Sequence, residues 1–536
     1  MPTLNWIGKE AVVNHHLQVP FHLLKDVPEL SCGDPGSGNL IVQGDNLVAL
    51  KALLPYYAGQ VKCIYIDPPY NTGNENWVYN DNVNSPVIRE WLGKVVGGEG
   101  ETLDRHDRWL CMMYPRLSLL RQFLKEDGVI FISLDDSEIG PLRIVMDEIF
   151  GARNFATTFI WQKRTTRENR RVFSFSHDYI LCYAKVLDAF ESVRGTLPLT
   201  DEVRGRYENP DNDPRGPWQS VSLNAQAGHA TPDQFYTLIT PGGRKLDPPK
   251  GRCWSVTEPR LKELTADNRI WFGKDGNNVP RFKMFLSEAN KGLTPHTLWE
   301  ADEVGTTDSA TKSLMEVFGG ESKFETPKSV ELLERILHIG SSPGDLILDS
   351  FAGSGTTGHA VLQLNKEDGG NRRFILVEME PDIARNVTAE RIRRVAQGYA
   401  NAKGEHVEGL GGGFRYVELG DLLFNKNGKI RETVSFLELA RHVYFVETGE
   451  PLPGEDVTAS PLIGACNGVG IYLLYNGIMK DKSANGGNVL NRGVLTSLPP
   501  FDGQKVIYCA GNLLGSERLL AERIIVRQTP YEIKAS

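Results

Sequence analysis

The chain has 536 residues, 24% charged and 40% hydrophobic, enough for roughly two to four domains with sizeable cores. Its formal charge of −9 argues mildly against a polyanionic partner, and no run of about 18 apolar residues is present that would form a membrane span. The seven cysteines are scattered with no CxxC pair, so disulfides and a structural zinc are not expected, which fits the reducing cytoplasm.

The opening "MPTLNWIGKEAVVNHH" lacks the basic and apolar regions of a signal peptide. "NLIVQGD" (39–45) and "VKCIYID" (61–67) are short apolar runs ending in Asp, and "NLVALKALLPYYAG" between them has helical periodicity. "RWLCMMYPRLSLLRQFLKEDG" (108–128) predicts a helix closed by Gly128 as C-cap, and "VIFISLDD" (129–136) a buried strand. "TTFIWQK" (157–163) and "HDYILCYAK" (177–185) predict strands around a basic loop. Strands alternating with helices imply an α/β fold with a parallel sheet.

From about 190 to 315 this alternation fades. Turn signals crowd in, including "ENPDNDPRGPW" (208–218) and "GKDGNNVPR" (273–281), and predict an inserted, loop-rich domain. Residues 161–290 hold 20 Lys+Arg against 16 Asp+Glu, so a polyanion would sit on this part of the chain. At 316–400 the α/β pattern resumes with the amphipathic "SVELLERILHIG", the strand "DLILD", the loop and helix "FAGSGTTGHAVLQL", and the strand "RFILVEM". "GLGGGF" (409–414) reads as a linker to a final mixed unit.

"DLILDSFAGSGTTGHA" (345–360) is a glycine-rich turn between a strand and a helix. Asp349 ends the strand where open α/β sheets bind ligands. Gly353 and Gly355 allow close backbone approach, while Ser354, Thr356 and Thr357 are placed to cap the next helix. A second strand ends in Glu378, placed to accept hydrogen bonds from ribose hydroxyls, with Glu380 as second choice. The pattern lacks the third glycine of a dinucleotide loop and the Lys-Ser/Thr of a Walker A loop. A dinucleotide site and a plain tight turn stay open, but an FxGxG-type loop with a downstream acid fits S-adenosylmethionine better.

"DPPY" (67–70) together with "FAGSGTT" (351–357) resembles the amino-methyltransferases of DNA. The order here, DPPY first and FAGSGTT later, is that of the β class. "YNTGN", "NPDNDPRGPW", "GTTDSATKSL", "TPK" and "VRQTPYEIK" further resemble the Mod subunits of type III restriction-modification systems. The implied fold is α/β, a circularly permuted Rossmann-like S-adenosylmethionine-dependent methyltransferase sheet. Residues 1–190 would carry its DPPY half and 316–404 its FAGSGTT half. An inserted target-recognition domain would occupy 191–315, and a C-terminal α+β domain 405–536, a candidate dimer or partner interface. By the same resemblance Asp45 and Asn46 lie near the cofactor adenine. Thr326 and Lys328, before the helix leading to Asp349, line its methionine end. Phe351, Ala352, Gly353, Ser354, Gly355, Thr356 and Thr357 form the loop around it.

DPPY has a chemical logic of its own. The exocyclic amine of adenine is a poor nucleophile because its lone pair is conjugated with the ring. Asp67 can accept one amino hydrogen and the Pro68 carbonyl the other, favouring a pyramidal nitrogen. Pro68 and Pro69 fix the backbone, Tyr70 can stack on the base, and no metal is needed. A base in a duplex must be flipped out to reach such a pocket. Asn71, Thr72 and Asn74 would form the loop around it.

Lys163, Arg164, Arg167, Arg170 and Arg171 in "KRTTRENRR" are candidates for phosphate contacts, against the alternative of a solvated hairpin tip. The inserted domain, with Arg215, Trp218, Arg244, Lys245, Arg252, Lys274, Arg281 and Lys283, is the candidate base reader. The expected activity is adenine-N6 methylation of double-stranded DNA, as part of a type III-like system. The alternatives are an N4-cytosine enzyme, a standalone methyltransferase, and a recognition subunit serving mainly to target a separate helicase-nuclease. A homodimer and a helicase-nuclease subunit are the expected protein partners.

Overall fold

The computed structural model describes residues 3–71, 93–94, 105–167, 172–289, 292–453, 460–475, 477–480, 487–530 and 532–533. Thr72, Asn74, Arg170 and Arg171 lie outside them. The chain forms two compact units, one of residues 1–195 with 296–536, the other of residues 196–295. Among the described residues no helix is long and apolar enough to cross a membrane.

The larger unit is built on a ten-stranded sheet. Its strands are β1 (His22–Asp26), β2 (Leu40–Gln43), β3 (Val61–Ile66), β4 (Leu124–Leu134), β5 (Phe155–Gln162), β6 (His177–Ala184), β7 (Leu298–Trp299), β8 (Leu346–Asp349), β9 (Arg373–Glu378) and β10 (Arg415–Leu422). The spatial order is β1-β10-β2-β9-β8-β3-β4-β6-β5-β7. The six strands from β10 to β4 run parallel, whereas β6 is antiparallel to both neighbours and β1 to β10. β3 and β8, far apart in sequence, therefore pair directly, Ile64 beside Leu348. Every residue of β3 and β8 is buried, which is why both read as continuous apolar runs.

Helices cover both faces. Helices α1 (Asn46–Tyr57) and α2 (Arg105–Phe123) pack on each other over Ile64, Ile66, Ile132 and Leu348. Helices α3 (Val330–Gly340) and α4 (Thr356–Asp368) pack as a second pair, and α5 (Glu390–Gln397) lies against α4. Gly340 marks how closely α3 approaches the sheet, since a Cβ there would come within 2.8 Å of Cys63 Sγ.

Three expectations need correction. Helix α2 ends at Phe123, and Gly128, expected as its cap, lies within β4. β4 starts at Leu124 because its charged residues all find partners: Lys125 on Asp345, Glu126 on Lys185 and Asp127 on Lys62. The inserted unit is residues 196–295, so its C-terminal boundary falls short of 315. Residues beyond it form β7 and the helix Thr307–Val317 of the larger unit. Finally, the boundary read at 405 precedes β10, which is an integral strand between β1 and β2. A four-stranded sheet follows it (Leu462–Cys466, Val469–Leu473, Gln504–Cys509, Ile524–Gln528) with the helix Phe436–Thr448 packed on it.

The inserted unit has its own core around Leu223, Trp254, Leu261 and Phe272. Arg215 and Trp218, expected on DNA, instead belong to its internal framework. Arg215 donates to Asp213 at 2.9 Å and lies over the Phe285 ring, and Trp218 is buried with its indole N–H on Asp211. Lys283 is fully buried, pairing with Asp211 and Asp213 beside the rings of Trp218 and Trp271. Hydrogen bonds from Arg215, then from Lys283, hold Asp213 well below the usual carboxylate range. Burial opposes the same effect at Asp211, yet the Lys283 and Trp218 hydrogen bonds still lower it. Lys283→Met is expected to destabilise this unit by up to about 3–5 kcal/mol, because it removes the buried cation between two carboxylates and leaves Asp211 with only the Trp218 indole N–H. Depressed carboxylates contribute stability above their unfolded pKa and lose it as pH falls through the folded value. The deficit of Lys283→Met should therefore shrink on acidification below about pH 4. Denaturant titrations followed by tryptophan fluorescence would check both; a deficit independent of pH would refute the charge argument.

Candidate active site

β3 and β8 end at the same edge of the sheet, and a cleft of about 950 Å³, open mouth included, runs along it. Asp67 and Pro69 line one end; Asp349, Phe351, Gly353 and Glu378 line the other. The two motifs thus meet because their strands are parallel neighbours.

At the first end, the Trp109 indole N–H donates to the Pro69 carbonyl at 2.7 Å, fixing the rigid turn against α2. The Asp67 carboxylate pairs with Lys328 through Oδ2, while its buried Oδ1 has no hydrogen-bond partner among the described residues. Lys328, expected at the cofactor, therefore reaches the DPPY carboxylate, its ammonium 5.2 Å from the Tyr70 ring and 6.0 Å from that of Trp161. The Tyr70 hydroxyl donates to Asp178 at 3.4 Å, and burial, then Asp178, pushes it well above the ordinary tyrosine range. Lys163 donates to the other Asp178 oxygen at 2.6 Å. The lysine expected on phosphate thus braces the residue beneath Tyr70, whereas Arg164 and Arg167 of the same loop are exposed.

Asn71 follows at φ 58°, a left-handed conformation that asparagine tolerates. Its side-chain amide donates to the Arg105 carbonyl at 3.0 Å and to Glu138, which is fully buried and also holds His106. Glu138→Leu would strand the Asn71 amide and free the turn behind Tyr70. We expect the methyl transfer that the DPPY resemblance implies to fall about 10²-fold, since small misplacements cost that much. Titration with S-adenosylhomocysteine, the demethylated form of the cofactor that the same resemblance implies, should be unchanged; equal losses in both would mean general damage.

At the second end, Asp349 is buried, accepting from the Phe351 N–H at 3.0 Å and the Thr357 hydroxyl at 2.5 Å, and burial pushes it up to about 7. The Ala352 N–H donates to the Val377 carbonyl at 3.0 Å. Gly353 and Gly355 take φ 50° and 77°, as a turn this tight requires. The expected hydroxyl caps are absent: Gly355 occupies the N-cap of α4, and Ser354 and Thr356 instead accept from Arg391. Glu378 buttresses the loop, accepting from the Gly353 N–H and the Glu380 N–H, both at 2.9 Å, and Glu380 also lines the cleft.

Asn46 lines the cleft, donating to the Ser350 carbonyl at 3.0 Å and accepting from Arg116. Asp45 caps α1 through the Leu47 and Val48 N–H groups and pairs with Arg116 at 3.0 Å, so it serves the cleft from behind. Thr326 lines the cleft at φ 52°, which costs a β-branched residue roughly 1–2 kcal/mol. Sequence reasoning missed Trp109, Arg116, Glu138, Asp178 and Arg391. Arg116 had a signal, being the lone charge within "WLCMMYPRLSLL".

The family described as DNA methylase matches residues 61–390. The chain is 36% identical over 370 residues to the type III restriction-modification enzyme StyLTI Mod subunit of Salmonella typhimurium strain LT2, covering 66% of this chain and 54% of that one. It is 32% identical over 430 residues to the EcoPI Mod subunit of Escherichia phage P1, covering 72% and 65%. It is 28% identical over 415 residues to the type II methyltransferase M.KpnI of Klebsiella pneumoniae, covering 72% and 94%. The alignments to the two Mod subunits thus span between about half and two thirds of their length.

Proposed function

The chain belongs to the DNA methylase family, and from that premise we propose that it methylates the exocyclic N6 amine of a flipped adenine in double-stranded DNA, using S-adenosylmethionine. We assign it to a type III-like restriction-modification system as the modification and specificity subunit. A homodimer and a separate helicase-nuclease subunit are its proposed partners. The observation that carries the reading is the single cleft shared by the DPPY carboxylate and the FAGSGTT loop.

The residues present fit such a cofactor. Among the described residues, buried Ser350 Oγ and Asp67 Oδ1 lack hydrogen-bond partners, and Gly353 leaves room that a side chain would fill. Phe351, Gly353, Glu378 and Thr326 would hold it. When bound, it supplies an electrophilic methyl group. Asp67 and the Pro68 carbonyl orient the amine by accepting hydrogen bonds from its two N–H groups, and the one proton released on transfer passes to the Asp67 carboxylate or to solvent, with Lys328 fixing that carboxylate by its ion pair. Tyr70, braced by Asp178 and Lys163, stacks on the base. Exposed Arg164 and Arg167 are the proposed phosphate contacts, and exposed Arg252 and Lys274 of the inserted unit its proposed base contacts.

The test is to map modified bases in DNA from cells expressing the chain, beside an Asp67→Ala control. Methyladenine confined to one short motif and absent from the control would support the activity, the target base and the role of Asp67. N4-methylcytosine would move the target to cytosine. No modification, with cofactor binding intact, would overturn autonomous methylation of DNA.

A further inference from the structure

Arg391 is a charge that the proposed chemistry does not use. It projects from α5 beneath the FAGSGTT loop and is 1% exposed. Its Nη1 donates to the Ser354 carbonyl at 3.3 Å, the Ser354 hydroxyl at 3.1 Å and the Thr356 hydroxyl at 2.8 Å. Its Nη2 lies 3.2 Å from His359 Nδ1, and its Nε has no partner among the described residues. Burial, then the guanidinium itself, holds His359 well below the ordinary imidazole range, so that ring is a neutral acceptor. No carboxylate among the described residues lies within ion-pair distance of Arg391; Glu331 acts on it only from further away. A buried cation with only neutral acceptors is costly unless something negative compensates it.

The cleft lies directly above. Ser354 and Thr356 both line it, and both oxygens accept from Arg391, so each hydroxyl hydrogen must point elsewhere. The Thr356 hydrogen is placed to go to the Lys328 carbonyl at 3.2 Å. The Ser354 hydrogen then has two outlets, the Thr356 oxygen at 3.2 Å and the cleft, where a ligand carboxylate would meet a donor polarised by the guanidinium behind it.

We infer that Arg391 is a positioning residue whose uncompensated charge, relayed through Ser354, selects the α-carboxylate at the amino-acid end of the methyl donor. The inference rests on the cofactor assignment made above. It explains why a full cation is buried where a neutral brace would hold the loop equally well. A ligand lacking the carboxylate gains nothing from Arg391.

The test compares two ligands by calorimetry on the full chain: S-adenosylhomocysteine, which has the carboxylate, and 5′-methylthioadenosine, which shares the nucleoside but lacks the amino-acid end. Arg391→Met should weaken S-adenosylhomocysteine at least tenfold and methylthioadenosine less than twofold. Ser354→Ala, which leaves the core intact, should show the same selectivity and covers the case in which Arg391→Met does not fold. Arg391→Lys, which keeps the charge, should recover most of the S-adenosylhomocysteine affinity. Equal loss for both ligands would make Arg391 a mere brace and overturn the inference alone. If the unaltered chain binds neither ligand, the cofactor assignment fails and this inference with it.

Discussion

Asp67→Ala is expected to reduce methyl transfer by at least about 10²–10³-fold, the scale lost when one preorganised polar group leaves a reacting centre. Affinity for S-adenosylhomocysteine should change less than threefold, because Asp67 follows β3 whereas Glu378 ends β9, on the other side of β8. The ion pair adds a second consequence. Without Asp67, the half-buried Lys328 loses its carboxylate and leaves an uncompensated ammonium beside the cleft. S-adenosylmethionine carries a sulfonium charge that S-adenosylhomocysteine lacks, so the variant should bind the methyl donor more weakly while binding the demethylated product normally. Removing the ammonium as well, in Asp67→Ala/Lys328→Met, should restore the donor-to-product affinity ratio without restoring transfer. Equal weakening of both ligands would refute the division of the cleft into a base end and a cofactor end.

The strands that carry chemistry were legible because parallel strands buried on both faces are uninterrupted apolar runs, and each stops at an acid. β4 was only half legible. Its first turn of sequence, "LKEDG", reads as a frayed helix end, and only the neighbouring Lys62, Asp345 and Lys185 make it a strand. Tertiary pairing of charges overrode local propensity there. The boundary near 405 failed for a similar reason, since β10 is a strand that returns to a sheet begun almost four hundred residues earlier.

The site shows the same division. Asp67 and Gly353, assigned to one site from motif chemistry, both line the cleft. Cations were misread because a charge in a basic stretch looks the same whether it faces phosphate or an internal carboxylate. Arg215 had its partner two residues away in "DNDPR", a local signal that could have been used; Lys163 finds Asp178 only through the pairing of β5 with β6. Arg391 and Glu138 gave no local signal, because each is defined by what the fold brings against it; Thr326 was legible as a cleft residue, its left-handed backbone was not.

Gly353→Val should abolish cofactor binding while leaving the fold and DNA affinity in place. Two independent effects point the same way. At φ 50° a β-branched residue is strained by roughly 1–2 kcal/mol. Its Cβ would also lie 3.1 Å from the Phe324 ring, so the side chain must occupy the cleft or displace that ring, which itself lines it. Calorimetry should show at least a hundredfold loss of S-adenosylhomocysteine affinity, with Gly353→Ala intermediate. Gly355→Ala provides the contrast. Its Cβ would meet the Thr388 backbone, 3.3 Å away, rather than the cleft, so it should lower the melting temperature more than it alters ligand selectivity. If Gly353→Val binds the ligand normally, the glycine loop is a tight turn and nothing more, and the cofactor must be sought elsewhere on the sheet. If it loses ligand but still shifts duplex DNA in a gel, recognition and chemistry are separable in this chain, as expected if base reading resides outside the cleft.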